Sequence, residues 1–270
     1  MSNSPPIPSH LQAKKLARWP KQLRRLIQAT AVGARDKNRY TRRPPQDDIM
    51  TQSLIGAGVY PISEVHRLTA ISKSRVSRFV KKYKGAGGLW GGKAEKLDTM
   101  YYLTFKDMME LRVINAFLDK GVGWRVVCRM AEYGRERFGA DYPLSHQRFP
   151  KEGERLYARA LESLGAAPAV DWSAIDKTLS NGILKSLEYE KKMPVRWYPV
   201  KNSRRIMIDG RYSFGAPVLT KSCVPTQVLY KSYLADNRNA PFVASIYRVP
   251  EDGVKSAVKY ERALLRRLAA

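Results

Sequence analysis

Between positions 61 and 83 the chain reads PISEVHRLTAISKSRVSRFVKKY, two short amphipathic patterns around a three-residue break. Ile62, Val65 and Leu68 share one face of a predicted first helix, with Ser63 placed to cap it. In the second, Val76, Phe79, Val80 and Tyr83 recur at i, i+3, i+4 and i+7, and Ser72 sits at the capping position. Residues 69–71 then form a tight turn. A glycine-rich stretch, KGAGGLWGGKAEKLDTM from Lys84, reads as a turn or β-wing. Thr104, with Asp107 three residues on, signals a new helix start. Phe105, Met108, Met109, Leu111, Ile114, Phe117 and Leu118 cover most of that helix's circumference, so it must be buried from several sides. The GVG at 121–123 ends it, and a further helix turns Val127, Met130 and Ala131 inward. Helical patterning continues to about Lys192.

Beyond Pro194, VRWYPV and RRIMIDG look like short strands. Three helices follow, opened by Pro225 with Thr226, by Pro241, and by Pro250 with Glu251 and Asp252. The last is lined on one side by Val254, Ala257, Val258, Glu261, Leu264 and Leu265, of which Glu261 is the odd member. The pattern predicts a mainly α protein in four parts: 1–50 a basic arm, 51–140 a helix-turn-helix with a wing, 141–193 a helical connector, and 194–270 a short β-hairpin followed by a small helical domain.

Charge narrows the partner. Lysine and arginine number 49 against 24 acids, a formal net charge of +25 over 270 residues. DNA, RNA and acidic membrane are the matching polyanions, against the plainer reading of a merely soluble basic protein. No window approaches the apolar length of a membrane helix, and 11–30 carries too many basic residues for a signal peptide, so no membrane partner is expected. The arm, with eleven basic and three acidic residues, cannot bury a core; it either tracks phosphates or solubilises. Cys128 and Cys223 lie at no metal-ligand spacing, which points to a reducing, cytoplasmic setting and indicates no metal and no cofactor. With His10, His66 and His146 the only histidines, and Asp107, Glu110 and Asp209 forming no paired-carboxylate signature, no catalytic set emerges and the chain reads as a binder.

The face of the second helix opposite its apolar stripe suits a DNA major groove. Ser74, Arg75 and Arg78 are expected at or near base edges, with Lys73, Lys81 and Lys82 on phosphates and Lys93 of the glycine-rich stretch beside them. A solvated basic face on a structural helix is the alternative. In the last helix Lys255, Lys259, Arg262 and Arg266 recur at i, i+4, i+7 and i+11, a stripe readable as a second phosphate contact, a solvated face, or a protein-binding surface. A homodimer is expected, because one short recognition helix reads too few base pairs and because Leu156, Leu161, Leu164, Ile175, Leu179, Ile183, Leu184 and Leu187 offer more apolar surface than their own segment covers.

The order helix-turn-helix, glycine-rich wing, Thr-Phe-x-Asp helix start, Gly-Val-x-Trp and another helix resembles the MerR-type winged helix-turn-helix over about residues 58–138. The C-terminal pattern is similar to the small helical domain of unknown function in VapB-type antitoxins, especially the two-domain type with a MerR-like N-terminal half. It is carried by Asp209, Phe214, Gly215, Pro217 and Val218, then Val224, Pro225 and Thr226, then Val243, Ala244, Tyr247 and Val249, and finally Val254, Ala257, Tyr260 and Glu261. One departure is LADNRNA, where the family places a glycine and Asn237 or Asn239 must supply the left-handed turn. The long basic arm is another. The resemblance implies a bacterial, nucleoid-associated repressor of its own operon that neutralises a PIN-type ribonuclease toxin. A stand-alone DNA-architectural or replication and partition protein, and an RNA-binding module, are the competing readings.

Overall fold

The computed structural model describes residues 56–82, 95–97 and 100–269, all within the compact unit Leu54–Ala270. The expected basic arm, Tyr83 and Lys93 lie outside these residues. The chain is mainly α with small sheets. Strand β1 (Val59–Pro61) leads into α1 (Ile62–Thr69) and α2 (Lys73–Lys82). Strands β2 (Glu95–Leu97) and β3 (Met100–Thr104) form a hairpin whose second strand also pairs with β1, giving an antiparallel sheet in the order β1-β3-β2. Helix α1 begins directly after the paired Pro61, so Ser63 lies inside the helix and does not cap it. Ser72 does cap α2, accepting from the Arg75 amide at 3.3 Å.

Helix α3 (Phe105–Asp119) opens with the expected capping box, Asp107 accepting from the Thr104 amide at 2.7 Å and Thr104 from the Asp107 amide at 3.2 Å. Its all-round apolar surface is buried, as its pattern required, with Met108, Met109, Leu111, Ile114 and Phe117 at the centre of the protein. Helices α4 (Trp124–Phe138), α5 (Phe149–Leu164) and α6 (Trp172–Thr178) follow, then a π turn and a 3-10 turn that run to Ser186.

The helical pattern ends there rather than at Lys192. Strands β4 (Leu187–Glu190) and β5 (Met193–Trp197) make a tight hairpin in which Lys191 and Lys192 both take positive φ, 49° and 67°. That two-residue turn is normally marked by Asn-Gly or Gly-Gly, and a Lys-Lys pair carries no such mark. The Gln147 amide donates to the Lys192 carbonyl at 3.0 Å, tying the turn to the α4–α5 loop. Leu156, Ile175, Leu179, Leu184 and Leu187 are buried in the chain's own core, and Leu161, Leu164 and Ile183 pack against it. The apolar surface expected to need a second copy is therefore largely covered from within.

Short strands β6 (Ile206–Met207) and β7 (Val218–Leu219) then pair, and α7 (Thr226–Ala235), α8 (Ala240–Tyr247) and α9 (Glu251–Ala269) complete the fold at the starts expected from their prolines. Between α7 and α8, Asn237 and Arg238 supply the left-handed turn while Asn239 caps α8. One buried apolar cluster runs from Tyr60 to Leu264. The 210–215 loop lies against the start of β1: Tyr60 donates to the Gly215 carbonyl at 3.0 Å, and a side chain at Gly210 would meet the Gly56 carbonyl at 2.5 Å.

Candidate nucleic-acid interface

The face begins with how α1 and α2 are locked together. Val65 and Leu68 of α1 and Val76, Phe79 and Val80 of α2 are buried, and the Phe79 ring stacks on Trp124 of α4 with centroids 5.4 Å apart. Between the helices Ala70 turns left-handed with φ 64°, its amide donating to the His66 carbonyl at 2.9 Å. His66 Nδ1 lies 2.9 Å from the Ile71 carbonyl, so this ring braces the turn.

Fixing the inner face of α2 presents Lys73, Ser74 and Arg78 to solvent. Arg75 is held sideways, its Nη1 donating to Asn115 Oδ1 at 2.6 Å and Asp119 Oδ1 at 2.5 Å at the end of α3. The pair is about half-exposed, and an ion pair so exposed adds little stability. Lys81 and Lys82 fall in the last turn of α2.

The second predicted set lies on α9, where Lys255, Lys259, Arg262 and Arg266 are all exposed. Lys255 pairs with Glu251 at 2.7 Å, and the Arg262 guanidinium sits 5.9 Å from the Tyr233 ring. Of the two leucines expected on the inner side of α9, Leu264 is buried and Leu265 is 49% exposed.

The opposite side of α9 docks on α1. Buried Glu261 receives Arg67 Nη1 at 3.2 Å and the Thr226 hydroxyl at 2.5 Å, while Glu64 takes the rest of the Arg67 fork at 2.6 and 2.8 Å. Burial works against the Arg67 charge, but Glu64 and Glu261 outweigh it and hold its pKa above the ordinary arginine value. Arg267 Nη1 reaches the Leu68 carbonyl at 3.5 Å. Arg67 and Arg267 were absent from the sequence expectations. Glu261 within an apolar stripe was the one visible trace of this contact.

Other polar groups hold the frame. Asp209 is clasped by Arg211 at 2.8 Å and Arg196 at 3.3 Å; burial raises its pKa, and Arg211 chiefly, with Arg196, outweighs that to leave it below the usual carboxylate range. His146 stacks on Phe138 at 4.7 Å, and burial, then Arg148 and Lys192, push its pKa down. Among the described residues no group of three or more His, Cys, Asp or Glu is placed to hold a metal, and no helix is long and apolar enough to cross a membrane.

No protein-family model matches the chain, and no curated protein does. Among solved structures it is similar to the crystal structure of Rv2018 from Mycobacterium tuberculosis, with a TM-score of 0.59 and 18% identity over 74% of this chain and 96% of that one. That likeness is one of fold.

Proposed function

We propose that this protein is a sequence-specific DNA-binding transcriptional regulator that reads duplex DNA with α2. One observation carries the reading: Val76, Phe79 and Val80 are 0–2% exposed while Lys73, Ser74 and Arg78 face solvent, so a short, rigidly seated helix offers cations and a hydroxyl together. The order β1, α1, α2, β2, β3, with β3 between the other two strands, supports a MerR-like winged helix-turn-helix in which β2–β3 is the wing. Arg78 is assigned to a base edge and Lys73 to a phosphate, with Arg75 joining Arg78 when it exchanges Asp119 for a DNA acceptor. Two half-sites read by a homodimer give the selectivity that one such helix lacks.

The antitoxin class, with autorepression and a PIN-type toxin partner, rests on the resemblance described above. Its support here is that Asp209, Gly215, Pro217, Val218 and Thr226 are all buried at the β6–β7–α7 junction, where that pattern is carried. Copurification with the product of the adjacent reading frame tests it.

The DNA reading is tested by selecting a preferred duplex from a random pool and measuring affinity for it and for scrambled DNA. Arg78→Ala should weaken the preferred duplex by about 1–3 kcal/mol and relax selectivity at one base pair, whereas Lys73→Ala should weaken all sequences alike. Equal loss on both DNAs for Arg78→Ala rejects α2 as the reading helix. Light scattering on the protein alone and on DNA checks the dimer.

A further inference from the structure

The cationic stripe on α9 faces a groove of about 670 Å³ rather than a plain convex surface. Tyr233 of α7 and Arg238 of the α7–α8 turn form one wall, and Lys255, Lys259, Arg262 and Arg266 form the other. All five cations are exposed, and Glu251 is the one acid at the rim, already paired with Lys255. From Lys255 to Arg266 the stripe extends about 16 Å along the helix axis, at about 1.5 Å per residue. The groove offers five cations and few free acceptors, since the Asn239 side-chain oxygen in its lining is spent on the Phe242 amide at 3.1 Å, and that balance suits phosphate oxygens.

The groove's position identifies its occupant. Arg266 lines it, and the next residue, Arg267, bonds the Leu68 carbonyl just before the turn into α2. The end of α9 that carries the last cation of the stripe thus lies against the end of α1, two residues before the turn that leads into Lys73 and Ser74. We infer that the groove is a second, phosphate-directed seat for the same duplex that α2 reads, with one strand passing from the α1–α2 turn along α9. The inference rests on the DNA-binding reading of α2 and adds a sequence-independent contact flanking it.

The test uses the full chain and a long labelled duplex of mixed sequence, titrated between about 50 and 200 mM salt. Each phosphate contact contributes about 0.9 to the slope of log affinity against log salt. The variant Lys255→Gln/Lys259→Gln/Arg266→Gln spares the buried Glu261 and the Arg262 contact with Tyr233. It should flatten the slope by about 2–3 and lower affinity for all sequences alike. If it melts below the parent, Lys259→Gln alone carries the test, with a slope change of about 0.9. An unchanged slope in a folded variant overturns the inference. So does a greater loss on single-stranded RNA than on duplex, or a loss confined to a protein partner. If Arg78→Ala leaves selectivity intact while the groove variant flattens the slope, the α2 reading fails and the groove stands; the reverse result removes the groove alone.

Discussion

Two of the seams between elements of this protein each hold a buried glutamate. At the seam between α1 and α9, Glu261 is 4% exposed and faces a guanidinium, Arg67, and a hydroxyl, Thr226. At the seam between α3 and the α4–α5 loop, Glu110 is fully buried and accepts from the Leu144 and Ser145 amides at 2.9 and 2.7 Å. The first carboxylate bonds a guanidinium directly, and the second bonds two backbone amides, with the Arg135 charge also acting on it. Burial pushes Glu110 up to about 7, with the Ser145 side chain, the Leu144 and Ser145 amides and the Arg135 charge only partly offsetting it. The α1–α9 seam is therefore sensitive to removal of its cation, and the α3 seam to pH.

Arg67→Met should have the largest effect. It keeps the packing of the side chain's stem but leaves Glu261 buried without a cation, at a cost of about 3–5 kcal/mol in urea unfolding. Pairing it with Glu261→Leu should recover most of that loss, because two apolar groups need no counterion. A double variant no more stable than the single would remove the distinction between the seams.

The pH response of Glu110 comes next. With a folded pKa raised above its unfolded value, its contribution is full below the ordinary carboxylate range and is lost as pH rises to and through about 7. The loss is on the order of 3 kcal/mol. Unfolding at pH 5 and pH 8 should show it as a difference between the parent and Glu110→Gln, whose own pH dependence lacks this component. Parallel curves for the two proteins would mean that Glu110 does not titrate as argued.

The smallest effect should come from Lys192→Gly at the hairpin turn that meets the α3 seam. Relieving a positive φ of 67° outweighs glycine's entropy by only about 0.5 kcal/mol, seen as a slightly higher urea midpoint. A lower midpoint would show that the lysine side chain contributes more than its backbone strain.

Sequence patterns exposed some of these features and concealed others for identifiable reasons. Helices α7 to α9 were legible because Pro225, Pro241 and Pro250 stand at their starts. The inner face of α2 was legible because Val76, Phe79 and Val80 follow the helical period. The β4–β5 hairpin was hidden because two lysines occupy left-handed positions that glycine or asparagine usually marks. Arg75 looked free to read bases because its partner Asp119 lies 44 residues away in the chain. The groove beside α9 was invisible because Arg238 comes from a turn whose path no periodicity records.

The contact between Arg67 and Glu261 also spans time. Its partners are 194 residues apart, so at about 5–20 residues per second a ribosome makes α1 roughly 10–40 s before the segment of α9 that covers it. Until then Arg67 has Glu64 alone, and the carbonyl of Leu68 awaits Arg267. The surface proposed to read DNA thus acquires its final support only when the end of α9 has emerged, and a nascent chain stalled before that point carries α1 without its seat.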